Sequence, residues 1–206
     1  MKKYFTALLC AYLSATCVSL AQKPNESFQY PIREATSPIK IDGVADDPAW
    51  ASAKIATDFF MIQPIDTSAA NARTDVRMAY DKQYLYILVE NYKPVKGSTI
   101  VESLRRDFNF GKNDNFLLFM DTFDDKTNGF SFGANAVGAQ WDGQMVDGGL
   151  VDLSWDNRWF TQVKNDDDKW VWEAAIPFKS IRYKPGNTRW GVNFSRLDLA
   201  ISEKSA

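Results

Sequence analysis

The sequence predicts a single all-β domain that folds as an antiparallel β-sandwich. Short apolar or alternating segments follow one another along the chain, and turns rich in Gly, Asn and Asp separate them about every ten residues. Segments with helical periodicity are sparse, so few short helices are expected. The 206 residues are 45% hydrophobic and 24% charged, which is ordinary for a globular domain and excludes a disordered or collagen-like chain.

Residues 1–21 are typical of a secretory signal peptide. Lys2 and Lys3 precede an apolar stretch, and Ser19 and Ala21 supply the small residues expected before a cleavage site. We therefore expect cleavage after Ala21 and export to the periplasm, the outer membrane or the extracellular space. An uncleaved membrane anchor is the alternative, but the apolar stretch is short for a span of roughly 20 residues.

Cleavage would leave a leader segment over residues 22–36, followed by the domain over residues 37–206. Both cysteines, Cys10 and Cys17, lie in the signal peptide, so the mature chain has no disulfide and no thiolate metal site. It retains 22 basic against 26 acidic residues, a net charge of −4. Nucleic-acid binding usually requires a basic surface, so this balance argues against a nucleic-acid partner.

One short helix and a series of strands are predicted inside the domain. Asp47 followed by Pro48 is typical of a helix start, and one or two turns should follow. Residues 74–80 alternate between apolar and polar side chains, as a strand does, and residues 81–83 form a hairpin turn after it. The remaining strand candidates are residues 84–89, 116–120, 130–133, 170–174 and 190–194.

The composition excludes several kinds of catalysis. The chain has no histidine, which removes Ser-His-Asp and Cys-His mechanisms and the commonest neutral zinc ligand. A glycosidase needs two carboxyl groups roughly 5 to 9 Å apart, and no carboxyl group in the sequence is marked as part of such a pair. We therefore expect no catalytic site in this chain. If the chain is part of an enzyme, that enzyme is expected to be a glycoside hydrolase.

Five sequence motifs follow one another in a fixed order. They are residues 39–43 with Asp46 and Trp50; residues 79–81 with 84–86; Arg106-Asp107 with Asp114, residues 121–125 and 128–130; residues 173–178; and residues 190–196. This set resembles the carbohydrate-binding module family 9-like domain, in the form found at the N-terminus of large secreted or outer-membrane proteins of Bacteroidetes. The resemblance covers residues 37–199.

The resemblance implies a sandwich of jelly-roll type, export, and a saccharide or polysaccharide as the partner. Family 9 modules generally accompany glycan-degrading enzymes, and some of them bind calcium structurally. The larger relatives continue into a long C-terminal region, expected to be a β-barrel, whereas this sequence ends at Ala206. A C-terminal barrel or a catalytic domain outside this chain is therefore a partner that the resemblance implies.

Three tryptophans are candidates for a saccharide platform: Trp141, Trp155 and Trp159. They lie in a glycine-containing stretch that is predicted to be mostly loop, near Asn135 and Asp142, whose side chains can hydrogen-bond sugar hydroxyls. The alternative is that each ring belongs to the core; for Trp155 and Trp159 the two interpretations stand level, and for Trp141 we favour binding. The tryptophans predicted to lie in the core are Trp50, Trp170, Trp172 and Trp190.

Arg106 is a further candidate for contact with a sugar or with an acidic glycan. The alternative is a structural role, in which Arg106 pairs with Asp107 or Asp114 and fixes a loop. We favour the structural role, because surface loops with charges of both signs commonly arrange themselves in this way.

Two acidic stretches raise the question of calcium. Asp121, Asp124, Asp125 and Asn128 offer oxygen ligands at short spacing, without the pattern of an EF-hand loop. A solvated turn is the alternative, and we favour it. Residues 166–168 are all aspartate and are expected to form an exposed hairpin turn. Calcium is thus the only cofactor that the sequence leaves open.

Together these observations predict an exported carbohydrate-binding module that docks a saccharide on exposed tryptophans and serves glycan breakdown. Two alternatives stay open: the N-terminal part of a larger glycan-active hydrolase, and a structural or interaction domain of an outer-membrane protein without a sugar site. Burial of the three candidate tryptophans would favour the last of these.

Overall fold

The computed structural model describes residues 28–206, and the predicted signal peptide lies outside them. Within this part of the chain, two β-sheets form a sandwich, as the sequence predicts. The only α-helix in the described range is α1 (Pro48–Ala51), and two single-turn 3₁₀ helices span Phe110–Lys112 and Phe178–Ser180. No helix among these residues is long and apolar enough to cross a membrane.

The first sheet has the strand order β1-β4-β5-β11-β10, and β2 also pairs with β4. All of its pairings are antiparallel except that of β1 with β4, which is parallel. Although β1 lies in the predicted leader, it pairs with the end of β4. The strands are β1 (Arg33–Glu34), β2 (Ile55–Ala56), β4 (Thr74–Tyr80), β5 (Tyr84–Tyr92), β10 (Phe160–Asn165) and β11 (Lys169–Pro177).

The second sheet is antiparallel throughout, in the order β3-β13-β12-β6-β7-β8-β9. Each predicted strand is present, and most extend by one to a few residues beyond the predicted bounds. The strands are β3 (Met61–Gln63), β6 (Asn115–Asp121), β7 (Gly129–Asn135), β8 (Gln140–Val146), β9 (Leu150–Asp152), β12 (Gly191–Asp198) and β13 (Glu203–Ser205).

Aromatic rings fill the space between the sheets. Trp172 of β11 is fully buried and contacts Phe116 of β6, with ring centroids 5.7 Å apart. Trp170 shares the inward face of β11, because alternate residues of a strand point the same way, and it is also buried. Trp190 was predicted in the core, but it precedes β12 and is only half-buried. Its ring contacts Phe178 and Tyr183, outside the space between the two sheets, and part of it stays in solvent.

The outer face of the first sheet is covered by the segment that contains α1. Trp50 packs there against β4, β5 and β11, and its indole Nε1 donates to the Glu173 carboxylate at 3.0 Å. The same carboxylate accepts the backbone N–H groups of Asp42 (3.0 Å) and Gly43 (3.1 Å). Asp47 stands at the predicted helix start, but its side chain accepts from Lys40 N instead of capping the helix.

Other buried charged side chains fix the loops and strand ends in the same way. Glu203 accepts the backbone N–H groups of Asn71 and Ala72. Arg196 is 1% exposed; its guanidinium donates to Asp198 Oδ2 at 2.9 Å and to backbone carbonyls of the first sheet. Because each buried charge has partners, its burial is tolerated and the loops are held in place.

Glu90 of β5 is buried at the centre of an ion-pair network on the outer face of the first sheet. Its two carboxylate oxygens accept from Lys169 Nζ (2.5 Å) and Arg77 Nη1 (2.6 Å). Burial raises the pKa of Glu90, but the bonds from the two cations outweigh this effect, and the net pKa lies below its ordinary value.

Candidate functional site

Arg106 lies at the centre of a polar cluster on the loop before the 3₁₀ helix at Phe110–Lys112. Its guanidinium reaches Asp142 Oδ1 (2.5 Å), Asp156 Oδ1 (2.6 Å) and Gln140 Oε1 (3.2 Å). It also donates to the backbone carbonyl of Asn157 at 3.2 Å. The side chain is 34% exposed, so the cluster is accessible from solvent. The structure therefore brings together two of the predicted site residues, Arg106 and Asp142.

The ion-pair partners of Arg106 are Asp142 and Asp156, and the predicted partners, Asp107 and Asp114, are wrong. Asp107 N donates instead to Gln140 O at 2.9 Å, which aligns this loop against the start of β8 and directs Arg106 toward Asp142. Asp114 is 6% exposed, and its carboxylate accepts the backbone N–H groups of Ile100 and Leu199. Arg106 does form ion pairs, so a structural contribution is present, but through different carboxylates.

Asp142 is the buried member of this cluster. It is fully enclosed, whereas Asp156 is 64% exposed. Burial raises the pKa of Asp142, although the Arg106 guanidinium and the Asn157 N–H favour its ionised form. A buried carboxylate of this kind orients Arg106, while Asp156 and Gln140 remain nearer to solvent.

The structure contradicts the favoured prediction of an exposed ring at Trp141, and at Trp159, where core and binding stood level, it supports the core. Trp141 and Trp159 are only 3% and 4% exposed, and Trp155 is half-buried. Trp155 and Trp159 face one side, as their spacing suggested, but that side is the interior: both contact Phe132, at 6.0 and 5.4 Å between ring centroids. Trp141 lies on the outer face of the second sheet, where Phe108 and other apolar side chains cover it.

Asn135 is also buried, and its side-chain amide is occupied by backbone groups. Its Nδ2 donates to Ser103 O at 2.7 Å, and its Oδ1 accepts from Ala139 N at 2.9 Å and Val137 N at 3.2 Å. This amide closes the turn between β7 and β8 and ties it to the loop that carries Arg106. Asn135 therefore stabilises the loop that carries Arg106, and its own side chain is not exposed to solvent.

The acidic stretch after β6 forms a hydrogen-bonded loop. Asp121 accepts the backbone N–H groups of Phe123, Asp125 and Lys126, and Asp125 in turn accepts from residues 127 and 128. Within residues 28–206, no group of three or more acidic, cysteine or histidine side chains is arranged to hold a metal ion. Residues 166–168 form the hairpin turn between β10 and β11.

A cleft of about 590 Å³ opens beside this cluster, at the edge of the first sheet. We call it the edge cleft. None of its lining residues carries a carboxyl group. They are Ile39, Ile41, Tyr84, Tyr86, Gln140, Trp159, Phe160, Thr161, Gln162 and Ala175.

Aromatic rings form one wall of the edge cleft. Tyr84 lies 5.8 Å from Tyr86 and 6.1 Å from Phe160 between ring centroids. Phe160 is 41% exposed, and the Arg158 guanidinium lies 5.7 Å from its ring centre. Tyr86 donates its hydroxyl to Asp81 Oδ2 at 2.8 Å; burial and this carboxylate together raise its pKa, so the phenol stays neutral.

Gln140 joins the edge cleft to the Arg106 cluster. It lines the cleft, and its Oε1 also accepts from Arg106 Nη1. The combined surface offers apolar ring faces next to amide, hydroxyl and guanidinium groups. Such a surface can bind a ligand that has both C–H faces and hydroxyl groups.

Sequence reasoning missed most of the edge cleft. Its residues come from separate segments, and the pairing of β10 with β11 and of β11 with β5 brings those on these three strands together. One signal was present in β10, where outward-facing residues alternate with inward-facing ones. Phe160 and Gln162 both face outward, and Phe160 is the aromatic residue among outward positions that are otherwise polar. An aromatic residue in that pattern indicates an exposed ring.

Comparison with known families gives one clear match. The family described as "Carbohydrate family 9 binding domain-like" matches residues 41–204. A search of curated proteins found no match. The family match agrees with the resemblance inferred from the five motifs.

Solved structures with the same fold are also similar to this chain. A family 9 carbohydrate-binding module of Caldicellulosiruptor kristjanssonii, in complex with cellotriose, is 19% identical with a TM-score of 0.58, over 84% of this chain and 81% of that one. The complex of a family 9 module from the same organism with glucose gives a TM-score of 0.59, at 19% identity, over 84% and 83%. A protein of Bacteroides uniformis gives a TM-score of 0.63 at 10% identity, over 84% of this chain and 86% of that one.

Proposed function

Because the chain belongs to the carbohydrate family 9 binding domain-like family, we propose that it binds a saccharide, and that the edge cleft is the site. The observation that carries this proposal is Gln140, which lines the cleft and also accepts from Arg106. A sugar ring needs an aromatic surface for its C–H face and polar groups for its hydroxyls, and this position supplies both.

Support for a neutral glucan as the ligand comes from the relatives. The Caldicellulosiruptor structures are complexes with cellotriose and with glucose. None of the residues that line the edge cleft carries a charged side chain, so the cleft suits an uncharged chain. Its role would be to hold glycan for breakdown by an enzyme, either attached to this domain or separate from it.

The test is a calorimetric titration of residues 22–206 with cello-oligosaccharides, preceded by a glycan-array screen. Phe160→Ala and Gln140→Ala should each weaken binding by about tenfold, since a stacked ring or a directional hydrogen bond is worth roughly 1–1.5 kcal/mol. Phe110→Ala is the matched control, because Phe110 is also half-exposed, at 50%, but lies outside the cleft. Equal affinity in all three variants would contradict the proposed site.

A structural or interaction domain is the second candidate function. Its supporting observation is that Trp141 and Trp159 are packed inside the fold instead of forming a platform. If the folded wild-type domain binds no glycan on the array, this candidate replaces saccharide binding. The partner would then be a C-terminal barrel or a catalytic domain outside this chain.

We also propose that the protein is exported and cleaved after Ala21. The supporting feature is the pair of lysines, the apolar stretch and the small residues at positions 19 and 21. Mass spectrometry of the exported protein should find Gln22 at the N-terminus. A chain that keeps Met1 in the cell envelope would instead support the membrane anchor.

A further inference from the structure

A second surface, formed by residues that do not line the edge cleft, carries four exposed cations. Lys179, Arg182, Lys184 and Arg189 are all exposed, and none of them forms an ion pair with another residue of the described chain. No acidic residue occurs in residues 174–197. These four side chains therefore have no acidic neighbour within this stretch of sequence, although the protein as a whole is acidic.

Three aromatic rings lie among these cations. Phe178, Tyr183 and Trp190 contact one another, with centroid distances of 6.1, 6.3 and 5.8 Å. Tyr183 is 44% exposed, and Phe178 and Trp190 are half-buried. Each ring is adjacent in sequence to at least one of the four cations, and all seven residues lie on the segment from 178 to 190. We call these seven residues the basic-aromatic patch.

The loop that carries the patch is fixed to the rest of the fold. Thr122 Oγ1 donates to Arg182 O at 2.5 Å, and Ser180 Oγ donates to Arg158 O at 2.8 Å. Asn157 Nδ2 donates to Ser180 O at 2.7 Å. A surface that is ordered before binding loses less conformational entropy when a ligand arrives. The loop is therefore suited to present its side chains in one arrangement.

We propose that the basic-aromatic patch binds an acidic saccharide, one that carries carboxylate or sulfate groups. Guanidinium and ammonium groups bind such anions by charge-assisted hydrogen bonds, and the exposed Tyr183 ring offers a stacking face for a sugar ring. This inference names a different site and a different ligand charge from the edge cleft, and it does not depend on that proposal.

The chemistry of the patch favours a saccharide over a membrane surface. Insertion into lipid needs protruding aliphatic or aromatic side chains. In the loop from 179 to 190, the aliphatic side chain of Ile181 is 5% exposed, so it is not available for insertion into lipid. The exposed groups are instead hydrogen-bond donors next to a ring.

The experiment measures binding of residues 22–206 to polygalacturonate, with cello-oligosaccharides as the uncharged comparison. The triple variant Arg182→Gln, Lys184→Gln, Arg189→Gln removes three unpaired cations. The matched control is Lys40→Gln, Lys96→Gln, Lys112→Gln, which removes the same charge from three exposed lysines that are already ion-paired. Tyr183→Ala tests the ring separately.

The wild type should bind polygalacturonate more weakly as salt rises, because exposed charges are screened. The patch variant should lose at least about tenfold in affinity, Tyr183→Ala severalfold, and the control triple variant much less than the patch variant. Phe160→Ala, in the edge cleft, should leave this binding unchanged, so failure of one proposal is distinguishable from failure of the other.

Three results would overturn the inference. The first is equal affinity of the patch variant and its control. The second is a loss caused by Phe160→Ala, which would place the acidic saccharide in the edge cleft. The third is that the wild type binds double-stranded DNA or phosphatidylglycerol vesicles as tightly as it binds polygalacturonate, and that Tyr183→Ala keeps this affinity. Such a result would show charge attraction without recognition of a sugar.

Discussion

Replacing Glu173 with alanine should strongly destabilise the sandwich. The Glu173 carboxylate is fully buried and accepts three hydrogen bonds, from Asp42 N, Gly43 N and the indole of Trp50. The bonds from Gly43 and Trp50 are buried, whereas that from Asp42 is partly open to solvent. Each buried donor that loses its acceptor costs about 1–3 kcal/mol, so the two together give a loss of about 2–6 kcal/mol.

Denaturant unfolding of residues 22–206 measures this loss directly, with circular dichroism as the signal. A domain of this size has a free energy of unfolding of about 5–15 kcal/mol, so the change is large enough to measure. Glu102→Ala is the matched control: this glutamate is 52% exposed and pairs only with Lys112, and its loss should cost less than about 1 kcal/mol.

Two further variants separate the hydrogen bonds from the change in volume. Glu173→Gln keeps one acceptor oxygen and should lose about half as much stability as Glu173→Ala. In a double-mutant cycle, Trp50→Phe should cost about 1–2 kcal/mol less in the Glu173→Ala background than in the wild type. If Glu173→Ala costs no more than Glu102→Ala, the argument that this carboxylate holds the covering segment is wrong.

Three other changes are expected to have specific effects. Arg196→Leu should cost about 3–5 kcal/mol in chemical unfolding, because it leaves the buried carboxylate of Asp198 without its cation; Asp198→Asn in the same chain should restore part of the loss. Gly43→Ala should lower the melting temperature, since Gly43 has φ 78° and an added Cβ would lie 2.9 Å from Lys164 N. In the folded protein the pKa of Glu90 lies below its ordinary value of 4.5. The ionised carboxylate of Glu90 therefore stabilises the fold above pH 4.5, and this stabilisation is lost as the pH falls through the lowered pKa. The stability deficit of Glu90→Gln should therefore be largest near about pH 7 and shrink below about pH 4, as pH-dependent unfolding would show.

The strands were predictable from local sequence because each buried strand has a side-chain pattern of its own. Residues 74–80 show the clearest alternation, and β4 has the predicted bounds. The two-residue strand β1 has no such pattern, since both of its side chains are exposed and only its pairing with β4 defines it. Short exposed strands depend on a distant partner, so a sequence window does not contain the information that places them.

The candidate site was only partly predictable, for a related reason. Arg106 and Asp142 were both identified by residue type, and the structure brings them together. The orientation of Trp155 and Trp159 depends on Phe132, which lies in another strand, so their local sequence is compatible with a loop that faces either outward or inward. Ring exposure is decided by tertiary contacts, and residue type alone does not determine it.

Many of the residues that carry the family resemblance have a structural role. Glu173 holds residues 42 and 43 and Trp50, and Asp81 closes its hairpin by accepting from Gln83 N and Tyr84 N. These contacts fix the sandwich whatever ligand it binds. The resemblance therefore predicts the fold more directly than the binding chemistry.

The two proposed binding sites, by contrast, use side chains that the fold does not require. Phe160 lies outside the five motifs, and the Tyr183 ring is exposed on a loop that other residues fix in place. A chain can therefore keep every loop-fixing contact while its ligand changes. For this reason variants of Phe160 and Tyr183 test function without disturbing the fold, whereas variants of Glu173 or Arg196 would test the fold alone.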